Sequence, residues 1–118
     1  MTVKECYDRM GGNYEEVMGR LRTEERVKKF VKKFPADGSF DLLVSSLAEA
    51  NYADAFRAAH TLKGVCQNLS FTKLYESSHV LTEAVRGGEL HPGCDLEALL
   101  AEVRADYELT RGSIEALD

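Results

Sequence analysis

Proline is nearly absent from the interior of this chain. Only two prolines occur, Pro35 and Pro92, and both fall in apparent turns. Proline breaks an α-helix because it lacks a backbone donor and clashes with the preceding turn, so its absence leaves long stretches free to be helical. Apolar residues recur in these stretches at the three- to four-residue spacing of amphipathic helices, and no alternating strand pattern competes with them. The sequence therefore predicts an all-α protein.

Helix start and stop signals divide the chain into successive segments. The residues expected to open the helices are Thr2, Asn13, Thr23, Ser39, Asn51, Ser70 and Asp95. Short turns between successive long helices favour antiparallel neighbours. We expect one domain over residues 1–118, built as an antiparallel four-helix bundle with extra short N-terminal helices packed across one end. Segments 51–69, 71–86 and 95–117 supply three bundle members, and the segments between residues 23 and 50 supply the rest.

Composition limits the classes of partner. The chain is 44% hydrophobic and 30% charged, with a formal net charge of −5, which is typical of a soluble fold and argues against a nucleic-acid surface. No apolar run reaches membrane-spanning length and the start lacks a signal sequence, so we expect no membrane partner and a cytoplasmic location. The three cysteines, an odd number, argue against a disulfide framework. Cys6 and Cys66 are expected to be small buried hydrophobes.

The most informative segment is the amphipathic stretch from Ala53 to Leu69. At about 100° per residue, its apolar residues lie within about 60° of Leu62, whereas His60 lies about 160° away, on the side facing water. Residues that share this far side with His60 are Ala53, Arg57, Gly64 and Gln67, with Lys63 and Phe56 flanking it.

An exposed histidine can be an ordinary solvated side chain, and helical geometry alone leaves that alternative open. The residues around His60 favour a reactive role for its imidazole. Gly64, one turn later, costs about 1 kcal/mol relative to alanine but removes a side chain beside the imidazole, so another molecule can approach. Lys63 and Arg57 lie within reach of an anion placed on His60. An imidazole nucleophile flanked by cations suits a phosphoryl group rather than a metal ion.

The run Ala59-His60-Thr61-Leu62-Lys63-Gly64 resembles the phosphorylation motif of the histidine-containing phosphotransfer domain of bacterial two-component phosphorelays. The likeness covers the second half of the chain well and the first half only in helical character. Two positions depart from the family's pattern: Ser70 stands where glycine is common, and Thr82 stands where an acidic residue is frequent. Both lie off the face that carries His60, so they leave the chemistry unaffected.

The resemblance implies a phosphoryl-carrier protein rather than an enzyme. His60 would become a phosphohistidine, Lys63 would help to stabilise the phosphoryl group, and Gly64 would leave room for the partner. The partners would be receiver domains of response regulators and a hybrid sensor histidine kinase. Mg²⁺ would belong to the receiver, so no cofactor is expected in this chain. No nucleotide motif is present, so ATP binding and self-phosphorylation are not expected.

Helical geometry also predicts a docking surface around His60. Its expected members are Ala53, Phe56, Arg57, Gln67, Phe71 and Lys73. An apolar patch ringed by cations would suit a receiver whose active site is acidic. Phe56 could instead pack on an adjoining helix. The cations Lys28, Lys29, Lys32 and Lys33 could be a solvated helix face or a steering patch for an acidic partner.

The sequence also offers a candidate metal site and two rival functions. His91 and Cys94, with Cys66 and His79, match no standard zinc spacing, so no metal site is expected. His79 is expected at a helix–helix boundary. A helical adaptor that binds receivers without relaying phosphate is the main rival function. A domain of a larger chemotaxis-type kinase is a weaker rival, because the chain starts at Met1 and ends soon after its last helix, which favours a free-standing carrier, expected to be a monomer.

Overall fold

The chain is entirely helical apart from its turns, as the proline distribution predicts. The structure, a computed structural model, describes all residues from 1 to 118. Its seven α-helices are α1 (Val3–Met10), α2 (Tyr14–Leu21), α3 (Glu24–Val31), α4 (Ser39–Ala48), α5 (Tyr52–Leu69), α6 (Thr72–Ala84) and α7 (Leu96–Glu115), with short 3-10 turns at Phe34–Ala36 and Arg86–Gly88. The predicted all-α class is confirmed.

The histidine-bearing helix α5 lies at the centre of the bundle. It packs against α4 on one side and α6 on the other, and α7 packs against α6. The short helices α1 and α2 lie at the end of the bundle where α5 finishes: Tyr7 Oη donates a hydrogen bond of 2.7 Å to the Leu69 carbonyl, and Asn13 N donates one of 2.9 Å to the Ser70 carbonyl. The predicted position of the N-terminal segments is therefore confirmed.

One hydrophobic cluster runs from Val3 to Leu117 and includes residues of every helix. Cys6 and Cys66 belong to it, as the periodicity predicts. Burial raises the pKa of both thiols, because a low-dielectric environment disfavours the thiolate. The two thiols therefore behave as small apolar core groups.

Most helices begin where the sequence predicts. The side chains of Thr2, Asn13, Thr23, Asn51 and Asp95 each accept a backbone N–H of the first helical turn, as N-cap residues do. Asn13 and Glu16 form only half of a capping box, because the Glu16 carboxylate accepts from Ser70 Oγ at 2.7 Å instead. A complete box is present at Thr2 and Glu5.

Ser70 does not cap α6, which corrects the sequence-based expectation. It ends α5 in the left-handed conformation, with φ 59° and ψ 39°, and α6 begins after Phe71 with no side-chain cap. This conformation costs an ordinary L-residue roughly 1–2 kcal/mol. Arg20 of α2 donates hydrogen bonds of 3.0 Å to Ser70 Oγ and 2.6 Å to the Asn68 carbonyl. Contacts from α2 thus hold the end of α5 in this conformation.

Candidate functional site

His60 lies on the solvent face of α5, as the helical periodicity predicts. Ala59 and Leu62 are fully buried on the opposite side of the helix, whereas His60 is exposed. Its ring stacks on the ring of Phe56, one turn earlier, with centroids 5.8 Å apart and planes at 16°. Neither ring nitrogen is engaged by another side chain of this protein, so a nitrogen lone pair is open to an incoming electrophile.

Gly64 borders open space. A Cβ built at this position would meet no atom of the chain within 4 Å, so the protein's own packing does not require glycine here. Glycine inside a helix is unfavourable by about 1 kcal/mol relative to alanine. The cleared surface beside His60 is therefore a feature that only an outside molecule would use.

Lys63 reaches across to the neighbouring helix. Its Nζ lies 3.5 Å from Nδ1 of His79 on α6, a long contact for a hydrogen bond. The His79 ring stacks on Tyr75, with centroids 6.1 Å apart. His79 thus lies at the α5–α6 boundary, as predicted, but it is exposed and contacts a residue of the candidate site, which the sequence did not indicate.

Phe56 is half-buried and contacts the turn that follows α6. The Arg86 guanidinium lies 5.4 Å from the centre of the Phe56 ring, and its Nε donates to the Glu83 carboxylate at 2.7 Å. This ion pair lowers the pKa of Glu83. Phe56 therefore both borders the histidine and packs against an adjoining segment, and Arg86 is a cation of the site that sequence reasoning missed.

The close approach of Arg86 depends on Gly88. This residue has φ +81°, and a Cβ built there would lie 3.4 Å from Cα of Ala53. The turn thus rests on the start of α5 while Ala53 stays exposed. Glycines after a helix are typical of a helix stop, and this further role of Gly88 depends on which helix the turn faces.

Two further residues predicted to lie around His60, Arg57 and Gln67, have different surroundings. Arg57 forms an ion pair with Asp54 on its own helix, so its charge is partly offset. Gln67 is exposed two turns after His60, and its backbone carbonyl accepts from Arg20 at 3.2 Å. Both side chains share the solvent face of α5 with the histidine.

Two predicted docking residues lie elsewhere. Phe71 is only 1% exposed, because the turn after α5 points it into the core, where its ring centre lies 5.1 Å from that of Phe34. Lys73 faces α7, and its Nζ lies 3.7 Å from Asp106 Oδ1. The assignment of Phe71 to the surface around His60 was therefore wrong, and Lys73 is directed toward a different helix pair.

His91, one of the candidate zinc ligands in the sequence, makes hydrogen bonds to backbone groups. The ring Nε2 of His91 lies 2.7 Å from the Arg86 carbonyl, and its backbone N–H donates to the Ala84 carbonyl at 2.9 Å. His91 thereby ties the loop before α7 to the end of α6. No group of three or more His, Cys, Asp or Glu side chains has the arrangement of a metal site.

None of the helices combines the length and apolarity needed to cross a bilayer.

A helical bundle with an unengaged histidine on the face of its central helix defines a class of histidine-presenting helical modules. The family model described as the Hpt domain matches residues 28–112. Since this match covers well over half of the sequence, the chain belongs to the Hpt domain family, whose members are phosphocarrier modules for histidine phosphotransfer in two-component signalling, interacting with receiver domains and kinases. No curated protein and no solved structure matches the chain.

Proposed function

We propose that this protein is a phosphorelay intermediate in which His60 accepts a phosphoryl group from an aspartyl phosphate of one receiver domain and passes it to the receiver of a response regulator. The carrying observation is the pairing of an unengaged, exposed imidazole with the open surface at Gly64. A hybrid sensor histidine kinase is the expected source of the phosphoryl group. The cytoplasm is the expected place of action.

The chemistry needs one nucleophilic nitrogen and access in line with the bond that breaks. The lone pair of the neutral imidazole attacks phosphorus, an N–P bond forms, and the P–O bond to the donor aspartate breaks. The bonding electron pair leaves with the carboxylate oxygen, and the second ring nitrogen keeps its proton. The family resemblance assigns the reacting atom as Nε2. The return step to a second receiver is the same displacement in reverse.

Lys63 supports this reaction electrostatically. Charge on the phosphoryl oxygens is stabilised by a nearby ammonium, and Lys63 is half-exposed on the turn that follows His60. Mg²⁺ is expected on the receiver, where it serves the aspartyl phosphate, and no ATP site is expected in this chain. The protein would therefore act as a carrier that is restored after each cycle.

The decisive experiment is incubation with a phosphorylated receiver domain and Mg²⁺, followed by intact mass measurement and site mapping. We expect one acid-labile phosphoryl group on His60. His60→Gln should keep the helical fold and lose the label. His79→Gln and His91→Gln are matched controls at the two other histidines and should be labelled normally.

Two outcomes would contradict the proposal. Labelling that persists in His60→Gln would move the acceptor to another residue. Binding of the receiver with no phosphoryl transfer, tested with several receivers, would favour the non-relaying adaptor.

A further inference from the structure

The lysine run on α3 is split between two surfaces. Phe30 is a large apolar residue that remains 44% exposed, and Lys33 Nζ lies 5.6 Å from the centre of its ring. At 100° per residue, Arg26 lies about 40° around α3 from Phe30, and Lys29 lies about 100° from Phe30 in the same direction, close to Lys33. We call Arg26, Lys29, Phe30 and Lys33 the α3 patch.

The other two lysines face the opposite way. Lys28 and Lys32 lie about 160° around the helix from Phe30, on the side where the chain ends. Together with the amino terminus, which has the largest effect, they lower the pKa of the Asp118 carboxyl. The two halves of the run therefore have different neighbours although they alternate along the sequence.

The α3 patch adjoins the helix that carries His60. A surface cavity of about 250 Å³ lies between them, lined by Phe30 and Lys33 on one side and by Val65 and Asn68 of α5 on the other. Asn68 is one turn beyond Gly64 and eight residues beyond His60, a distance of about 12 Å along the helix axis. The cavity thus continues the cleared surface of α5 toward α3.

A partner centred on His60 would reach this region. A protein–protein interface of standard size buries about 800 Å² on each side, which corresponds to a disc of roughly 16 Å radius. Such a footprint extends past Asn68. It cannot be confined to the solvent face of α5, since that face is one helix wide.

The charged side chains on the two sides of α5 differ, and this difference indicates on which side an acidic receiver surface would bind. On the α6 flank, Glu76 is exposed and Arg86 is already paired with Glu83. Arg26, Lys29 and Lys33 form no ion pair within the chain, so their charges are available to a partner. A patch of unpaired cations suits an acidic partner surface, because complementary potentials speed and orient encounter.

We propose that the α3 patch, with the cavity beside Val65 and Asn68, is the second contact area for the receiver domain and takes an apolar side chain ringed by carboxylates. This inference rests on the proposed function, since the receiver is the partner assigned there. It converts the steering alternative for the lysine run into one defined surface and leaves Lys28 and Lys32 outside it.

The test compares two double charge reversals with the same formal change. Lys29→Glu/Lys33→Glu alters the patch, and Lys28→Glu/Lys32→Glu alters the far side. Phe30→Ser is compared with Val80→Ser, since Val80 is a similarly exposed apolar residue, at 51%, on α6 and outside the α3 patch. Two quantities are measured for each variant at low and high salt: receiver binding, with the receiver held in its activated form by beryllofluoride and Mg²⁺, and the rate of phosphoryl transfer.

We expect the patch reversal to weaken binding and kcat/KM at least tenfold at low salt and less at high salt, while the far-side reversal changes them by less than threefold. Phe30→Ser should weaken binding at both salt concentrations and Val80→Ser should not. Hydrolysis of the phosphohistidine should be unchanged in all four variants. Equal effects of the two reversals, no effect of either, or no receiver binding by the unaltered protein would overturn the inference. Patch-dependent binding without transfer would uphold it while the proposed relay function fails.

Discussion

Lys63 Nζ lies 3.5 Å from His79 Nδ1, across the boundary between α5 and α6. An ammonium group can only donate, so a hydrogen bond at this contact runs from Lys63 to Nδ1 and requires the tautomer with its proton on Nε2. Lys63 is thus held by a neighbour on the adjacent helix before any phosphoryl group arrives. Stabilising a phosphohistidine on His60 would require Lys63 to exchange this contact for the phosphoryl oxygens.

Removing the acceptor should therefore lengthen the life of the phosphohistidine. In His79→Leu we expect hydrolysis of phosphorylated His60 to slow by a few-fold, because one modest hydrogen bond contributes about 1 kcal/mol. Lys63→Ala should accelerate hydrolysis. The measurement is the decay of the phosphorylated protein by intact mass.

The double variant separates a positioning role from a general one. If His79 acts through Lys63, His79→Leu should have no effect in the Lys63→Ala background. Val80→Ala, the next residue on α6, should not change the decay in either background. An equal effect of His79→Leu with and without Lys63 would refute the coupling.

Gly64→Ala should make the protein more stable and a poorer carrier. The added Cβ meets no atom within 4 Å, so the helix gains about 1 kcal/mol from alanine. The same methyl group would stand beside His60 where the receiver approaches, so kcat/KM for transfer should fall. Urea denaturation and single-turnover transfer measure the two effects.

Gly112 provides the matched control for Gly64. It also lies inside a helix, α7, and a Cβ there also meets nothing within 4 Å. Gly112→Ala should stabilise the fold by a similar amount and leave transfer unchanged. If both variants transferred at the normal rate, the surface beside His60 would not be where the receiver approaches.

Tyr7→Phe should destabilise the fold by about 1–3 kcal/mol, because the Leu69 carbonyl would lose its buried partner. Burial raises the pKa of Tyr7 above its usual value of about 10. A raised pKa in the folded state means that the stabilisation is fully present below pH of about 10 and is lost as pH rises beyond it. The difference between wild type and variant in urea should therefore shrink in alkali, whereas Tyr75→Phe, at a half-buried residue, should change stability little at any pH.

The cysteines should differ in reactivity toward iodoacetamide. Cys6 and Cys66 are buried, and burial raises the pKa of both thiols, so the reactive thiolate is scarce and inaccessible. Cys94 is partly exposed in the loop before α7. Native protein near pH 8 should gain one adduct quickly, on Cys94, and protein in urea should gain three. Rapid native modification of Cys66 would show that the α5 core face opens.

Helix periodicity predicted what each helix does by itself. The exposure of His60 and the burial of Ala59, Leu62 and Cys66 follow from angles around one axis, and they are confirmed. The caps at Asn51 and Asp95 are equally local, since each depends on a side chain and the next few residues. These predictions needed no knowledge of neighbouring helices.

The wrong or missing predictions concern residues whose surroundings are set by another segment. Phe71 follows Ser70, and the left-handed backbone there turns its side chain into the core, which periodicity along α5 cannot anticipate. Lys73 and His79 lie on one helix, but one meets α7 and the other meets α5. The contact between Arg86 and Phe56 depends on a glycine turn folding back onto α5. The pattern of a single sequence shows which side of a helix is apolar, but not which other segment that side contacts.

The hydrogen bonds from α1 and α2 to the end of α5 have a practical consequence for fusing this domain to other proteins. The family match starts at residue 28, inside α3. A fragment cut at that boundary would lose the Arg20 guanidinium from the Asn68 carbonyl, the Glu16 carboxylate from Ser70, and the Tyr7 hydroxyl from Leu69. The smallest portable unit for fusion proteins or rewired signalling circuits is therefore larger than the matched segment, and it includes the N-terminal helices that fix the end of α5.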